Sequence, residues 1–214
     1  MAKAGKVGPE KRAWRRGALL ALVAVMFSCS SSYSKNDPVL EKAPEQLTPE
    51  DLSRIVAVAS TNYGSFRIAL HPEWAPKTCR NFVKLIRAGF YNGLTFHEVI
   101  PGVWVRGGDP LGNGEGGFGN GFTLETTSGQ HVKGAVGIYH PNFDPNNCGS
   151  QFYVMLRDFR RMDKAFTVFG QVVEGMGNVE RIASLPVTPR DGKPRPYMPL
   201  SQVIITEIHL EVKK

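Results

Sequence analysis

The chain has 214 residues, 42% hydrophobic and 21% charged, which suits one globular domain with a sizeable core and short appendages. Its formal charge of +7 comes mostly from one end: residues 1–28 hold six of the 26 basic side chains and one of the 19 acidic ones, leaving twenty against eighteen beyond them. That near-neutral remainder carries no basic stripe, so the electrostatic footprint of a nucleic-acid-binding protein is missing.

In chain order, a basic segment, KRAWRR, precedes ten apolar residues, ALLALVAVMF (Ala18–Phe27), and then SCSSS. A span of about 20 residues is needed to cross a bilayer. Ten suit the apolar centre of a secretory signal instead, and residues 1–28 read as a signal peptide. Cys29 directly after it resembles the lipobox of bacterial lipoproteins, with Met26 and Phe27 where a leucine and a small residue are usual. The resemblance implies a lipidated Cys29 and an exported, membrane-anchored protein in the periplasm or at the cell surface. Plain secretion and an uncleaved anchor are the other readings. Residues 29–52 are polar, contain Pro38 and Pro44, and read as a flexible tether to a domain at 53–214.

RIVAVAS (Arg54–Ser60) and GSFRIALH (Gly64–His71) predict two strands joined by a turn. In APKTCRNFVKLIRAGFY, the residues Cys79, Phe82, Val83, Ile86 and Phe90 recur at helical spacing, with Pro76 suited to the first turn and Gly89 to the stop. A second helix is predicted over Gly175–Ala183. Short β segments follow at 95–99, 103–106, 134–139, 151–156 and 166–173, and a closing strand at Gln202–Val212. About eight strands and two helices suit an antiparallel barrel capped by helices, which would leave no long open edge. No apolar stripe stands apart from the core pattern, so a monomer is expected.

Three motifs point to chemistry that their surroundings do not support. GNGEGG (Gly112–Gly117) has the G-x-G-x-x-G spacing but lacks the flanking strand and helix of a dinucleotide site, and reads as a surface loop. The five histidines have no metal-ligand spacing, and Ser150 in CGSQF lacks the hydrolase elbow. Cys79 and Cys148 make no disulfide framework, and their pairing stays open.

Four segments, APKTCRNFVKL, FYNGLTFHEVIPGVWVRGGDP, GSQFYV and FTVFGQVVEGM, occur in an order and spacing that resembles the cyclophilin family of peptidyl-prolyl isomerases. The resemblance covers roughly residues 53–214. It implies a mainly β fold, an eight-stranded antiparallel β-barrel capped by two α-helices, and isomerisation of X–Pro bonds in proline-containing polypeptides without metal or cofactor. The amide barrier is about 18–20 kcal/mol. An arginine that donates a hydrogen bond to the pyramidal imide nitrogen lowers it by favouring the twisted state.

The chain departs from the family pattern where the resemblance places the site. Glu98 stands at the arginine position after Phe96-His97, and Arg106 replaces the glutamine before Gly107-Gly108. In the family these two positions lie on adjacent strands of the hairpin around Ile100-Pro101-Gly102, so the resemblance implies a cross-strand ion pair. Gln151 is retained. The groove positions carry Val103, Trp104, Tyr139, His140, Tyr153, Arg161, Met162 and Phe166; of these, Tyr153, Met162 and Phe166 with Gln151 are expected to form an apolar pocket with a polar rim. Two functions follow: an isomerase in which Arg106 supplies the guanidinium and Glu98 holds it, or an inactive module that binds proline-containing or extended segments.

Overall fold

The computed structural model describes Met1 and residues 32–119, 121–140, 144, 149–189 and 197–214. The signal-like segment, Cys29 and Cys148 lie outside the described residues.

The domain starts at Ser32. Its strands are β1 (Tyr33–Ser34), β2 (Ile55–Thr61), β3 (Gly64–Leu70), β4 (Thr95–Ile100), β5 (Trp104–Asp109), β6 (Ala135–Ile138), β7 (Phe152–Met155), β8 (Val168–Glu174) and β9 (Ile205–Lys213). The helices are α1 (Pro49–Arg54), α2 (Pro76–Arg87) and α3 (Met176–Ala183). The strands form one antiparallel sheet in the order β1-β9-β2-β3-β8-β6-β7-β5-β4.

Two expectations are corrected here. Nine strands and three α-helices are present among the described residues, and the sheet does not close into a barrel. Of the chain around β4, β9 bonds only the two residues that precede it, through Gly93 N–H to Ile205 O and Ile205 N–H to Leu94 O, both at 2.8 Å, so the two strands share no ladder. The edge of β4 is met only by a bridge from Thr95 to Ile204 and by single backbone bonds, Phe96 N–H to Val203 O (3.0 Å) and Val99 N–H to Tyr197 O (2.8 Å). The strand edge is therefore covered by an irregular segment rather than paired along a ladder.

The stretch read as a tether is, from Ser32 onward, part of the domain. Val39, Leu47 and Leu52 are buried in the core. Thr48 and Asp51 form a reciprocal cap on α1, with Asp51 N–H donating to Thr48 Oγ1 (3.1 Å) and Thr48 N–H to Asp51 Oδ2 (2.9 Å). The Lys42 ammonium, at 2.8 Å, with the Thr48 N–H and hydroxyl, holds the Asp51 carboxyl down at about 2. The polar composition concealed three apolar anchors spaced too irregularly to show a period.

Helix α2 buries Cys79, Phe82, Val83 and Ile86 as its spacing predicts, and the chain breaks at Gly89. Phe82 packs edge-on against Phe152 and Phe169 at ring distances of 5.5 and 5.0 Å, which fixes the helix over the sheet. Ala75 cannot cap it, and Glu125 does so from a distant loop, accepting from the backbone N–H of Lys77 (3.0 Å) and Thr78 (2.7 Å). Burial pushes the Cys79 thiol up, so it stays protonated.

Leu52→Ala is expected to cost about 2–5 kcal/mol, because the cavity would open inside the core. Urea unfolding of the two proteins measures it, and a neutral result is what a flexible tether would give.

Candidate active site

The hairpin of β4 and β5 turns at Ile100–Val103, where Val103 N–H donates to Ile100 O (2.9 Å) and Gly102 has φ +69°. Pro at the first corner and a residue with positive φ at the second fit a type II turn, and glycine takes that φ without strain. The turn sets the register that places Glu98 opposite Arg106.

Arg106 is 6% exposed. Its guanidinium donates to Glu98 through Nε to Oε2 and Nη2 to Oε1, both at 2.9 Å, a bidentate pair. Trp104 Nε1 donates to the same Oε2 (2.8 Å). Burial pushes the Glu98 carboxyl up, but the Arg106 and Trp104 bonds outweigh it and the net shift is downward. Nη1 donates to Gln151 Oε1, and Gln151 Nε2 donates in turn to Gly114 O (3.0 Å) and Gly116 O (2.6 Å). The Tyr139 ring covers the guanidinium face, with Cζ 3.9 Å from the ring centroid.

The glycine-rich loop is thus a wall of this network. Asp109 shapes it by accepting from the N–H groups of Leu111 and Asn113, both at 2.8 Å, and of Gly114. These bonds hold the Asp109 carboxyl down against the upward push of burial.

On the same face of the sheet, the expected groove residues come together. Tyr153, Met162 and Phe166 share one buried cluster, with Val103, Trp104 and Tyr139 partly exposed at its margin. His140 stacks on Phe166 at 4.5 Å. Gln151 belongs to the Arg106 network rather than to the apolar cluster.

Tyr153 differs from the expectation. It is fully buried, so it forms the floor of the cluster, and its hydroxyl lies 2.9 Å from His131 Nε2. His131 Nδ1 lies 2.9 Å from Asp163 Oδ1, and the His131 backbone N–H donates to the same oxygen (2.8 Å). The ring lies across Gly137, its partner on β6, where an added Cβ would stand 2.2 Å from Cζ and Oη. His131, Asp163 and Gly137 are absent from the sequence reading because no local motif joins them; only strand pairing brings them to Tyr153.

A cavity of about 180 Å³ adjoins this network, lined by Gly116–Gly119, Tyr139, Gly149, Ser150 and Gln151. A larger one of about 450 Å³ lies at the β4 edge beside His97, Asp109 and Leu200, and includes neither Glu98 nor Arg106. The first shares Tyr139 and Gln151 with the Arg106 network.

A family model described as cyclophilin type peptidyl-prolyl cis-trans isomerase/CLD matches residues 55–209. The chain belongs to the cyclophilin-type peptidyl-prolyl cis-trans isomerase family. It is 42% identical over 128 residues to peptidyl-prolyl cis-trans isomerase-like 1 of Gibberella zeae, a match covering 58% of this chain and 79% of that one. To a peptidyl-prolyl cis-trans isomerase of Schizosaccharomyces pombe it is 39% identical over 143 residues, or 65% and 90% of the two chains. A crystal structure of a Cryptosporidium parvum cyclophilin type isomerase, obtained in the presence of the dipeptide Ala-Pro, superposes with a TM-score of 0.65 at 27% identity, covering 74% of this chain and 98% of that one.

Two outcomes test how this cyclophilin holds Tyr153. Gly137→Ala should displace the ring and destabilise the domain by about 1–3 kcal/mol, read by urea unfolding. Burial holds the His131 ring below its usual pKa, the Asp163 carboxylate only partly opposing it. Below about pH 6.5 the unfolded chain therefore takes up a proton that the folded chain does not, and stability falls as pH falls. His131→Gln should flatten that part of the Tm-against-pH curve.

Proposed function

We propose that this cyclophilin-family chain isomerises X–Pro bonds with a rearranged active site in which Arg106, not a residue at position 98, is the catalytic cation. The observation that carries the reading is the Glu98–Arg106–Gln151 network beside the apolar cluster. A guanidinium at position 106 in place of one at 98 keeps one cation in the site and moves its origin to the neighbouring strand. Arg106 has five N–H donors and spends three on Glu98 and Gln151, so one N–H on each terminal nitrogen is left for a substrate. Glu98 fixes the fork, and Gln151 holds its other end.

The proline ring would rest on the cluster margin of Val103, Trp104 and Tyr139, with Met162 and Phe166 behind it. As the imide nitrogen pyramidalises, an Arg106 N–H donates to its lone pair, an interaction stronger in the twisted state than in either planar one. The tight hold of Glu98 and the cover of Tyr139 favour slow turnover. They also support the second reading, a binding module for proline-containing segments. The basic, apolar and cysteine-containing N-terminus supports attachment through lipidated Cys29 and substrates among exported proteins. Among the described residues, no helix is long and apolar enough to cross a membrane. An acylated Cys29 as the mature N-terminus in mass spectrometry is the expected result; an intact Met1 removes the signal reading.

NMR exchange spectroscopy on Ala-Pro peptides decides between catalysis and binding. The wild type should accelerate exchange, and Arg106→Gln should reduce that acceleration about 100-fold, the scale for losing one preorganised donor. Activity unchanged in Arg106→Gln overturns the relocated cation, and peptide binding without exchange in the wild type selects the binding module. Glu98 carries a lowered pKa, so its contribution is complete above about pH 4.5 and disappears as pH falls through the lowered value. Turnover should accordingly be flat with respect to this pair from about pH 5 to 8.

A further inference from the structure

Beside the apolar cluster runs a turn, residues 157–164, that carries four cations and two carboxylates. Asp163 is partly buried and accepts from the His131 N–H and from Arg160, whereas Asp158 is exposed and its Oδ1 accepts from the Lys133 N–H (2.8 Å). Its four cations, Arg157, Arg160, Arg161 and Lys164, are exposed. The turn carries a net formal charge of +2.

The turn also holds two of these cations beside the groove. Met162 is buried in the cluster, while Arg161, next to it on the same short 3₁₀ turn, is exposed. Lys164 has φ +65°, a left-handed conformation unusual for a lysine. It persists because Ala165 and Phe166 N–H both donate to Met162 O, at 3.1 and 3.2 Å. Arg161 and Lys164 thus flank Met162 and Phe166. Arg160 is partly neutralised by Asp163, and Arg157 stacks on Phe159 at 5.3 Å. Across the sheet, Glu98 is neutralised by Arg106, so no free carboxylate in that network opposes the positive rim.

We infer that Arg161 and Lys164 form an anion-binding rim that selects proline-containing segments with acidic side chains next to the proline. The inference rests on the reading that this groove binds proline-containing peptides. A peptide that lays its proline against the cluster passes within side-chain reach of both cations, and two exposed charges that form no ion pair among the described residues attract a carboxylate through water with a strength that salt reduces.

The test uses the purified full chain and three peptides, acetyl-Glu-Ala-Pro-Glu-amide and its Gln and Lys counterparts, with affinity and exchange both read by NMR. At low salt the Glu peptide should bind about fivefold more tightly than the Gln peptide, the scale of one or two exposed ion pairs, and the Lys peptide most weakly. Salt at about 0.5 M should remove the difference. The double variant Arg161→Ala/Lys164→Ala should lose the Glu preference while binding the Gln peptide as before, and Arg161→Glu/Lys164→Glu should reverse the order. Equal low-salt affinity for Glu and Gln peptides, or a preference that survives the alanine variant, overturns the rim. Exchange without charge preference defeats the rim alone; charge-selective binding without exchange defeats the isomerase reading alone. No binding of any peptide defeats both.

Discussion

A guanidinium that is 6% exposed has lost most of its hydration, and a carboxylate within the fold has to replace it. Glu98 does this across one rung of a hairpin, and much of the surrounding site follows. The bidentate fork fixes the plane of Arg106, which turns one end toward Gln151 and one face toward Tyr139. Gln151 then holds the glycine-rich loop by two carbonyls, and Asp109 folds that loop from its other side. Removing either charge would leave the other buried without a partner, so the two departures at positions 98 and 106 are tolerable only together.

The same sheet face carries a second polar set, unconnected by sequence to the first. Tyr153 lies flat over Gly137 and reaches His131, whose other nitrogen meets Asp163. This places a hydroxyl beneath the apolar cluster without exposing it and draws Asp163 inward. Asp163 is thereby drawn from the surface of a segment whose cations face solvent. Packing beneath the groove thereby sets the charge at its edge.

Much of this was legible before any coordinates. The α2 face, the hairpin, the ion pair and the company of Tyr153, Met162 and Phe166 follow from spacing and from the resemblance of four segments to cyclophilins. The burial of Tyr153 was not legible, because it depends on a glycine in β6 and a histidine in the preceding loop. Nor was the order of residues 32–52, where Val39, Leu47 and Leu52 follow no regular period and the polar residues between them make caps. The cap on α2 was hidden for a similar reason: Glu125 supplies it from 47 residues away.

By itself, the sequence determined which residues alternate and which lie on one helical face. Those are local facts, set by backbone periods of 2.0 and 3.6 residues and by turn chemistry. Only the tertiary structure decided that the sheet stays open at β4, because the chain meets β9 at Gly93 and Leu94, just before that strand, and β4 itself faces an irregular segment. It also decided which charges are shielded and which face solvent, since that depends on non-local hydrogen bonds that no window of sequence contains.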